Sequence, residues 1–576
     1  KKKLLPALIV TGLIILVVII MGITALINKY TPTKKTEDLK EYFNISSDDE
    51  AALIVDNELS DYKAKIIDKK IYVDYKFVHD SLNSRFYWDA NENVLLYTTA
   101  SDIISAAADS NSYSVTKQTN DFGYPIVKAT SDSALIALDY VKQYSNITFK
   151  SYDDPARIVI TSKWDEIDSA TVSKSTQVRV KGGIKSPILK EVKKDDKITI
   201  LDSGDKWDKI ATEDGVIGYI KGKALSESKK TKLTNPDYEE ETFTHIKKDK
   251  DICLAWNQVT SQSANSKVPQ VISSTKGINV MSPTWFYLND NNGNLADIAS
   301  KDYVSYCHSQ GIEVWGLFSN FENTDVDAAY VLTHTSTRTT LINQIMSAAF
   351  NYELDGVNID FENITEAAYG DSYIEFIREL AIKCHNNGIS LSVDVTVPAS
   401  FNKFFNRSDM ANFADYIVIM GYDEHYKGSD AGSVSSIPWV TEGVESTLKE
   451  VPADQIILGM PFYTRIWELT PKEDDDAVTD TEDQSKYTVA SQVYSMDAAA
   501  AQLATNNATA ALDEESGQNY AEWSVSNKLY KVWLEDTTSL EKRLKLVDDN
   551  KLAGAAFWKL GFENSSVWDT VIKYLN

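Results

Sequence analysis

The chain has 576 residues, of which 43% are hydrophobic and 11% aromatic, and this excludes both a single small core and a mainly disordered chain. Its 84 acidic residues against 58 basic ones give a net charge of -26, which repels nucleic acid and points to a neutral or zwitterionic partner. Three widely spaced cysteines, Cys253, Cys307 and Cys384, supply neither a metal cluster nor a disulfide framework, so core filling is their expected role and no cofactor or metal is called for.

From Leu4 to Ile27 no charged residue occurs and Leu, Ile and Val dominate, which exceeds the roughly 20 residues that span a bilayer. Three lysines precede the run. Residues 1–30 therefore read as a single-pass anchor in a cell membrane, with everything after Lys29 extracellular. A cleaved signal peptide is the competing reading.

Between Asn44 and Trp164 two segments share a pattern: Tyr72 to Val78 followed by Phe86 to Tyr97, and Leu135 to Val141 followed by Phe149 to Thr161. Each reads as a helix and two short strands, so 44–165 is expected to form a pseudo-repeated α+β module. It resembles the small domain at the N-terminus of some copper amine oxidases and of many bacterial surface proteins, although no histidine cluster that would hold copper accompanies it. Next, short alternating runs such as Val178 to Val180, Ile198 to Leu201 and Val216 to Ile220 are separated by turn pairs including Gly182-Gly183 and Asp214-Gly215, predicting a small β-barrel over 170–226. With Trp207 and Gly218-Tyr219 so placed it resembles bacterial SH3 domains, and the resemblance implies cell-wall binding; a plain spacer is the rival reading. The lysine- and serine-rich stretch from Ser226 to Asn235, before Pro236, reads as a linker.

Over 237–576 strand-like and helix-like segments alternate. Eight strand candidates appear: Ile252 to Trp256, Ile278 to Ser282, Glu313 to Phe318, Gly356 to Phe361, Ser390 to Val397, Tyr416 to Met420, Gln455 to Met460 and Ala553 to Trp558. Eight is the number on which a parallel (β/α)8, or TIM, barrel closes, so the fold class is α/β. About 90 residues separate the last two candidates, too many for one loop, and predict a small α+β insertion at about 468–536. Within it Met496 to Thr505 reads as a helix, with strands over Ala508 to Leu512, Gln518 to Val525 and Leu529 to Leu534.

The chemistry concentrates in Asp355-Gly-Val-Asn-Ile-Asp-Phe-Glu362. A period of two puts Asn358, Asp360 and Glu362 on one face and Val357, Ile359 and Phe361 on the other. Carboxylates stacked inside a barrel are costly to bury unless they are used, so this strand is the candidate active site. Asp355, before Gly356, reads as a turn residue.

The segment is similar to the D-x-x-D-x-D-x-E signature of family 18 glycoside hydrolases, which include chitinases and endo-N-acetylglucosaminidases. Met420-Gly-Tyr-Asp423, Pro461-Phe-Tyr-Thr-Arg465 and Ala556-Phe-Trp-Lys-Leu-Gly561 match at the ends of the sixth, seventh and eighth strands. Met420 to His425 and Ser436 to Trp439 look like the spore-cortex-lytic branch. The resemblance implies a retaining, substrate-assisted mechanism. Glu362 would be the general acid, Asp360 would orient the substrate's 2-acetamido group, and Tyr422 would hold its oxygen. Trp558 would floor the sugar, with Asn358, Met420, Asp423, Tyr463, Arg465 and Trp285 as further substrate-binding candidates. Trp256 and Trp315 are additional stacking candidates. Asp423 has a rival role, orienting Arg465.

Position 358 departs from the pattern: it is asparagine where many members carry aspartate. The expectation is that Asn358 removes the carboxylate coupling and lets Asp360 ionise more readily. The resemblance implies a polymer of N-acetylglucosamine, either peptidoglycan or chitin, as partner. The anchor and the SH3-like segment favour peptidoglycan on a Gram-positive surface. A chitinase and a non-catalytic wall-binding protein are the alternatives.

Overall fold

The computed structural model describes residues 5–364, 367–472 and 484–575. The chain divides into two compact units, one comprising Lys1–Trp88, Ala106–Tyr113 and Thr119–Glu240, the other Asp89–Ser105, Ser114–Gln118 and Glu241–Asn576.

In the first unit a helix over Leu5–Tyr30, with a mean hydropathy of 2.9 and no buried residue, is long and apolar enough to cross a membrane. Along the chain, with Val94–Thr98 already counted in the second unit, the expected order of a helix and two strands occurs twice. Tyr75–Ser81 precedes Phe86–Asp89 and Val94–Thr98, and Leu138–Gln143 precedes Thr148–Tyr152 and Arg157–Thr161. A seven-stranded sheet is built from strands between Glu166–Thr171 and Lys229–Lys232, with neighbouring strands antiparallel throughout. The stretch read as a linker is thus partly a strand. Lys229–Lys232 pairs along Glu166–Ser169, and Lys230 meets Asp168 at 2.9 Å. An exposed lysine-rich edge strand resembles a linker in composition because its charges face water.

The second unit is a closed parallel barrel of eight strands: Ile252–Asn257, Val280–Leu288, Glu313–Ser319, Gly356–Asp360, Ser390–Thr396, Tyr416–Met420, Ile456–Pro461 and Gly554–Trp558. Pairing of the first strand with both the second and the eighth closes it. Alternation along each strand explains the closure. Leu254, Trp256, Val280, Trp315, Leu317, Tyr416, Val418 and Ile457 fill the inside. Val314, Val357, Ile359, Leu391, Val393, Ile417 and Leu458 face the surrounding helices. Gly554 begins the eighth strand at φ +153°, where a Cβ would lie 2.0 Å from the Ile252 carbonyl oxygen, so only glycine lets that strand close on the first. All three cysteines are buried as free thiols.

The insertion is a five-stranded antiparallel sheet covered by the helix Met496–Thr505. Its strands are Tyr463–Pro471, Tyr487–Ser495, Ala511–Asp513, Gln518–Val525 and Lys528–Leu534. It starts earlier than expected, because the chain leaves the seventh barrel strand at Pro461 and enters the new sheet at Tyr463. Residues 473–483, inside the expected insertion, lie outside the described residues. The sheet returns to the barrel through Glu535, which Arg543 grips with two nitrogens at 2.7 and 2.9 Å in a fully buried pair.

Asp89–Ser105, although within the predicted 44–165 module, packs as part of the barrel unit. The Asp89 carboxylate accepts from the Thr335 backbone N–H at 2.7 Å and hydroxyl at 2.6 Å, and Glu92 accepts from the Ser336 backbone N–H at 3.1 Å. These acids cap the helix Thr335–Tyr352, whose own N-cap position, His334, provides no side-chain cap.

Candidate active site

The site lies where the fourth strand runs out at the C-terminal face. Asn358 and Asp360 are buried among the inward-facing residues, and Glu362, two residues further on, opens to solvent at the barrel mouth. Desolvation of its head by the surrounding wall, then the negative charges of Asp423 and Glu322, push the Glu362 carboxyl above its ordinary value. A carboxyl held above its ordinary value keeps its proton to higher pH, which is the direction that protonation of a leaving group requires.

Asp360 is pushed well above the usual carboxylate range, first by burial and then by Asp394, Glu362 and Glu322. Its Oδ1 is buried without a hydrogen-bond partner among the described residues. Asn358 does not turn to it. The Asn358 Oδ1 accepts from Trp256 Nε1 at 3.0 Å and Ser282 Oγ at 2.9 Å, while its Nδ2 donates to Ser392 Oγ at 3.0 Å and Asp394 Oδ1 at 2.7 Å. The amide is saturated by four partners from three other strands converging inside the barrel. The expectation that asparagine relieves Asp360 of a charged neighbour therefore does not hold, since Asp394 faces the same interior from the fifth strand.

Two aromatic rings close the site. Tyr422, just beyond the sixth strand, sits edge-on to Trp256 at 6.4 Å and to Tyr463 at 6.2 Å, and burial with Asp360 nearby pushes its hydroxyl well above 10. Trp558, half-buried at the end of the eighth strand, sits edge-on to Trp256 at 6.0 Å. Met420, Glu362 and Asp394 line a side pocket with Phe401, Phe404 and Phe405. Phe401 is 78% exposed there.

Asp423 stands beside Arg465, as the rival role weighed for it requires. Its carboxylate accepts from the Tyr463 hydroxyl at 2.6 Å and lies 3.5 Å from Arg465 Nη2, so one acid ties the sixth-strand loop to the first strand of the insertion. Asp355 makes tertiary contacts at the strand's entry, accepting from the Val314 backbone N–H and meeting His308 Nε2, both at 2.8 Å.

Three aromatic expectations are corrected. Trp285 is fully buried, donates to Asn265 Oδ1 at 2.8 Å and packs against Tyr303 in the outer layer. Its strand is longer than predicted, and the period of two from Met281 carries residue 285 to the helix side. Trp256 is buried inside the barrel as a donor to Asn358, and Trp315 is buried on Tyr416 near the strand starts. Sequence reasoning missed Asp394 and Glu322. Asp394 carried a signal: Ser390, Ser392 and Asp394 alternate with Leu391 and Val393, the same polar-inward pattern as the fourth strand. Glu322, which accepts from Ser319 Oγ at 2.7 Å, lies on a loop and has no periodicity to betray it.

A parallel eight-stranded barrel with a proton-holding acid exposed at the C-terminal end of a strand has the form of a barrel enzyme. Comparison with known proteins narrows this. Residues 322–563, less than half of the chain, match the model described as Glycosyl hydrolases family 18, which marks a glycosyl hydrolase domain within the barrel unit. Among similar proteins, the "Uncharacterized glycosylase YvbX" of Bacillus subtilis (strain 168) is 24% identical over 302 residues, 49% of this chain and 81% of that protein. The "Cortical fragment-lytic enzyme" of the same organism is 24% identical over 287 residues, 48% of this chain and 63% of that protein. The crystal structure of the Bacillus megaterium QM B1551 spore cortex-lytic enzyme SleL superposes with a TM-score of 0.49 at 19% identity, covering 60% of this chain and 77% of that one.

Proposed function

We propose that this protein is a membrane-anchored, extracellular glycoside hydrolase that cleaves β-1,4 bonds in N-acetylglucosamine-containing polymers, peptidoglycan ahead of chitin. The observation that carries the reading is the inward ladder of Asp360 and Glu362, one acid buried and one open at the barrel mouth, both held above the ordinary carboxylate range. In this reading Glu362 gives its proton to the glycosidic oxygen as the C–O bond breaks. The carbonyl oxygen of the substrate's 2-acetamido group attacks the anomeric carbon and forms an oxazolinium ion. Asp360, ionised, accepts a hydrogen bond from the acetamido N–H and offsets the developing positive charge. The Tyr422 hydroxyl donates to the acetamido oxygen, and Trp558 supplies the apolar floor. Water then opens the oxazolinium, giving one proton back to Glu362, with net retention. Asp423, Tyr463 and Arg465 form the wall toward the insertion, with Met420 beside the acid.

Peptidoglycan is favoured by the apolar helix Leu5–Tyr30, which would tether the barrel near the wall, and by the name of a cortical fragment-lytic enzyme among the similar proteins. The 170–226 segment, as an SH3-like module, would add wall affinity. The test is mass spectrometry of products from purified peptidoglycan and from chitin oligomers. New N-acetylglucosamine reducing ends in the peptidoglycan digest support the reading, the same ends from chitin alone make the protein a chitinase, and none in either overturns hydrolysis.

A further inference from the structure

Two buried carboxylates stand side by side inside the barrel, and only one belongs to the fourth-strand motif. The fourth and fifth strands pair in parallel with Asn358 opposite Ser392 and Ile359 opposite Val393, so the next residues in register are Asp360 and Asp394. In-register residues of parallel neighbours point to the same side of the sheet. Both acids are buried, at 6% and 3% exposure. Asn358, one step below, fixes Asp394 through the 2.7 Å bond from its Nδ2.

We propose, resting on the hydrolase reading above, that Asp394 supplies from the neighbouring strand the second buried carboxylate of this site, and that as a positioning residue held by Asn358 it controls when Asp360 ionises. Two adjacent carboxylates screened from water cannot both ionise freely, so the pair retains one proton over a range where isolated acids would have none. The hydrogen bonds decide where it sits. An N–H donor favours an ionised acceptor, and Asp394 has that donor, whereas Asp360 Oδ1 has no partner among the described residues. Burial pushes Asp394 up as well, so it is the hydrogen bond from Asn358 that places the resting proton on Asp360. The groups facing the pair do nothing to relieve it: Glu362 beyond the fourth strand, Glu322 from the third-strand loop, and the hydroxyls of Tyr373 on the helix Gly370–His385 and of Tyr422 after the sixth strand. Desolvation and like charge both push Asp360 upward. Because Asp360 acts ionised, its titration forms the acid limb of the rate profile and Glu362 forms the alkaline limb.

The experiment is the pH dependence of kcat/KM on soluble peptidoglycan fragments or chitin oligomers for the full chain and four variants. Asp394→Asn removes the like charge, and the acid limb is expected to move to lower pH by roughly one unit or more. Asn358→Asp adds a carboxylate and is expected to move the limb upward. The double variant Asn358→Asp/Asp394→Asn exchanges acid and amide across the same hydrogen bond and is expected to bring the limb back toward wild type, which a merely structural role for Asp394 would not do. It also keeps the test alive if Asp394→Asn alone fails to fold. Glu362→Gln separates the two claims. If Glu362→Gln is inactive but the acid limb stays unchanged in Asp394→Asn, or is not restored in the double variant, the role of Asp394 is overturned and the hydrolase site stands. If Glu362→Gln retains wild-type activity, the site itself is wrong and the proposal falls with it.

Discussion

The same eight strands build two different interiors at the two ends of the barrel. Near the strand starts, Trp315 stacks on Tyr416 at 5.6 Å among Leu254, Leu317, Val418 and Ile457, and water is excluded. Near the strand ends the inward positions are Asn358, Asp360, Asp394 and Tyr422, with Glu362 open above them. One end resembles a protein core and the other is a cluster of acids with no cation among the groups shifting them. The apolar plug gives the strands a rigid packed base, and the unfavourable acid cluster is tolerated because that base fixes its geometry. Stability and chemistry are thus separated along one axis, and substitutions at each end should fail in different ways.

The largest effect should come from the open end. Glu362→Gln is expected to lower kcat by about 10²- to 10⁴-fold while leaving the thermal midpoint near wild type, measured by reducing-end release and calorimetry on the same sample. At the closed end Trp315→Ala should cost about 3–5 kcal/mol of unfolding free energy, with the activity of the molecules that remain folded within a few-fold of wild type. A Trp315→Ala protein as stable as wild type would erase the contrast. Tyr422→Phe tests a group at the border of the two regions: it retains the ring against Trp256 and removes only the hydroxyl, and about a tenfold fall in kcat/KM without loss of stability is expected. The smallest effect is electrostatic. Glu362 is needed protonated, so activity falls as pH rises through its elevated pKa, and Glu322→Gln removes one of the charges that elevate it. The alkaline limb should move to lower pH by a fraction of a unit, with the rate at lower pH retained. A shift to higher pH would contradict the sign of that interaction.

What the sequence by itself determined is everything governed by local period. All eight barrel strands, the helix Met496–Thr505, the inward face of Asn358, Asp360 and Glu362, and the apolar helix near the N-terminus follow from alternation or helical spacing, because burial of one face imposes the pattern residue by residue. Tertiary structure alone decided which side chains meet across strands. The register between the fourth and fifth strands sets Asp394 beside Asp360, and it turns the amide of Asn358 away from the acid with which the sequence motif pairs it. Extension of the second strand beyond Ser282 to Leu288 and the pleat send Trp285 to the helix layer, and a loop brings Glu322 to the acid. The caps supplied by Asp89 and Glu92 to a helix more than 240 positions later have the same origin. Such contacts depend on closing long loops, whose partners are fixed by the packing of the whole domain, and no local window of sequence contains both ends.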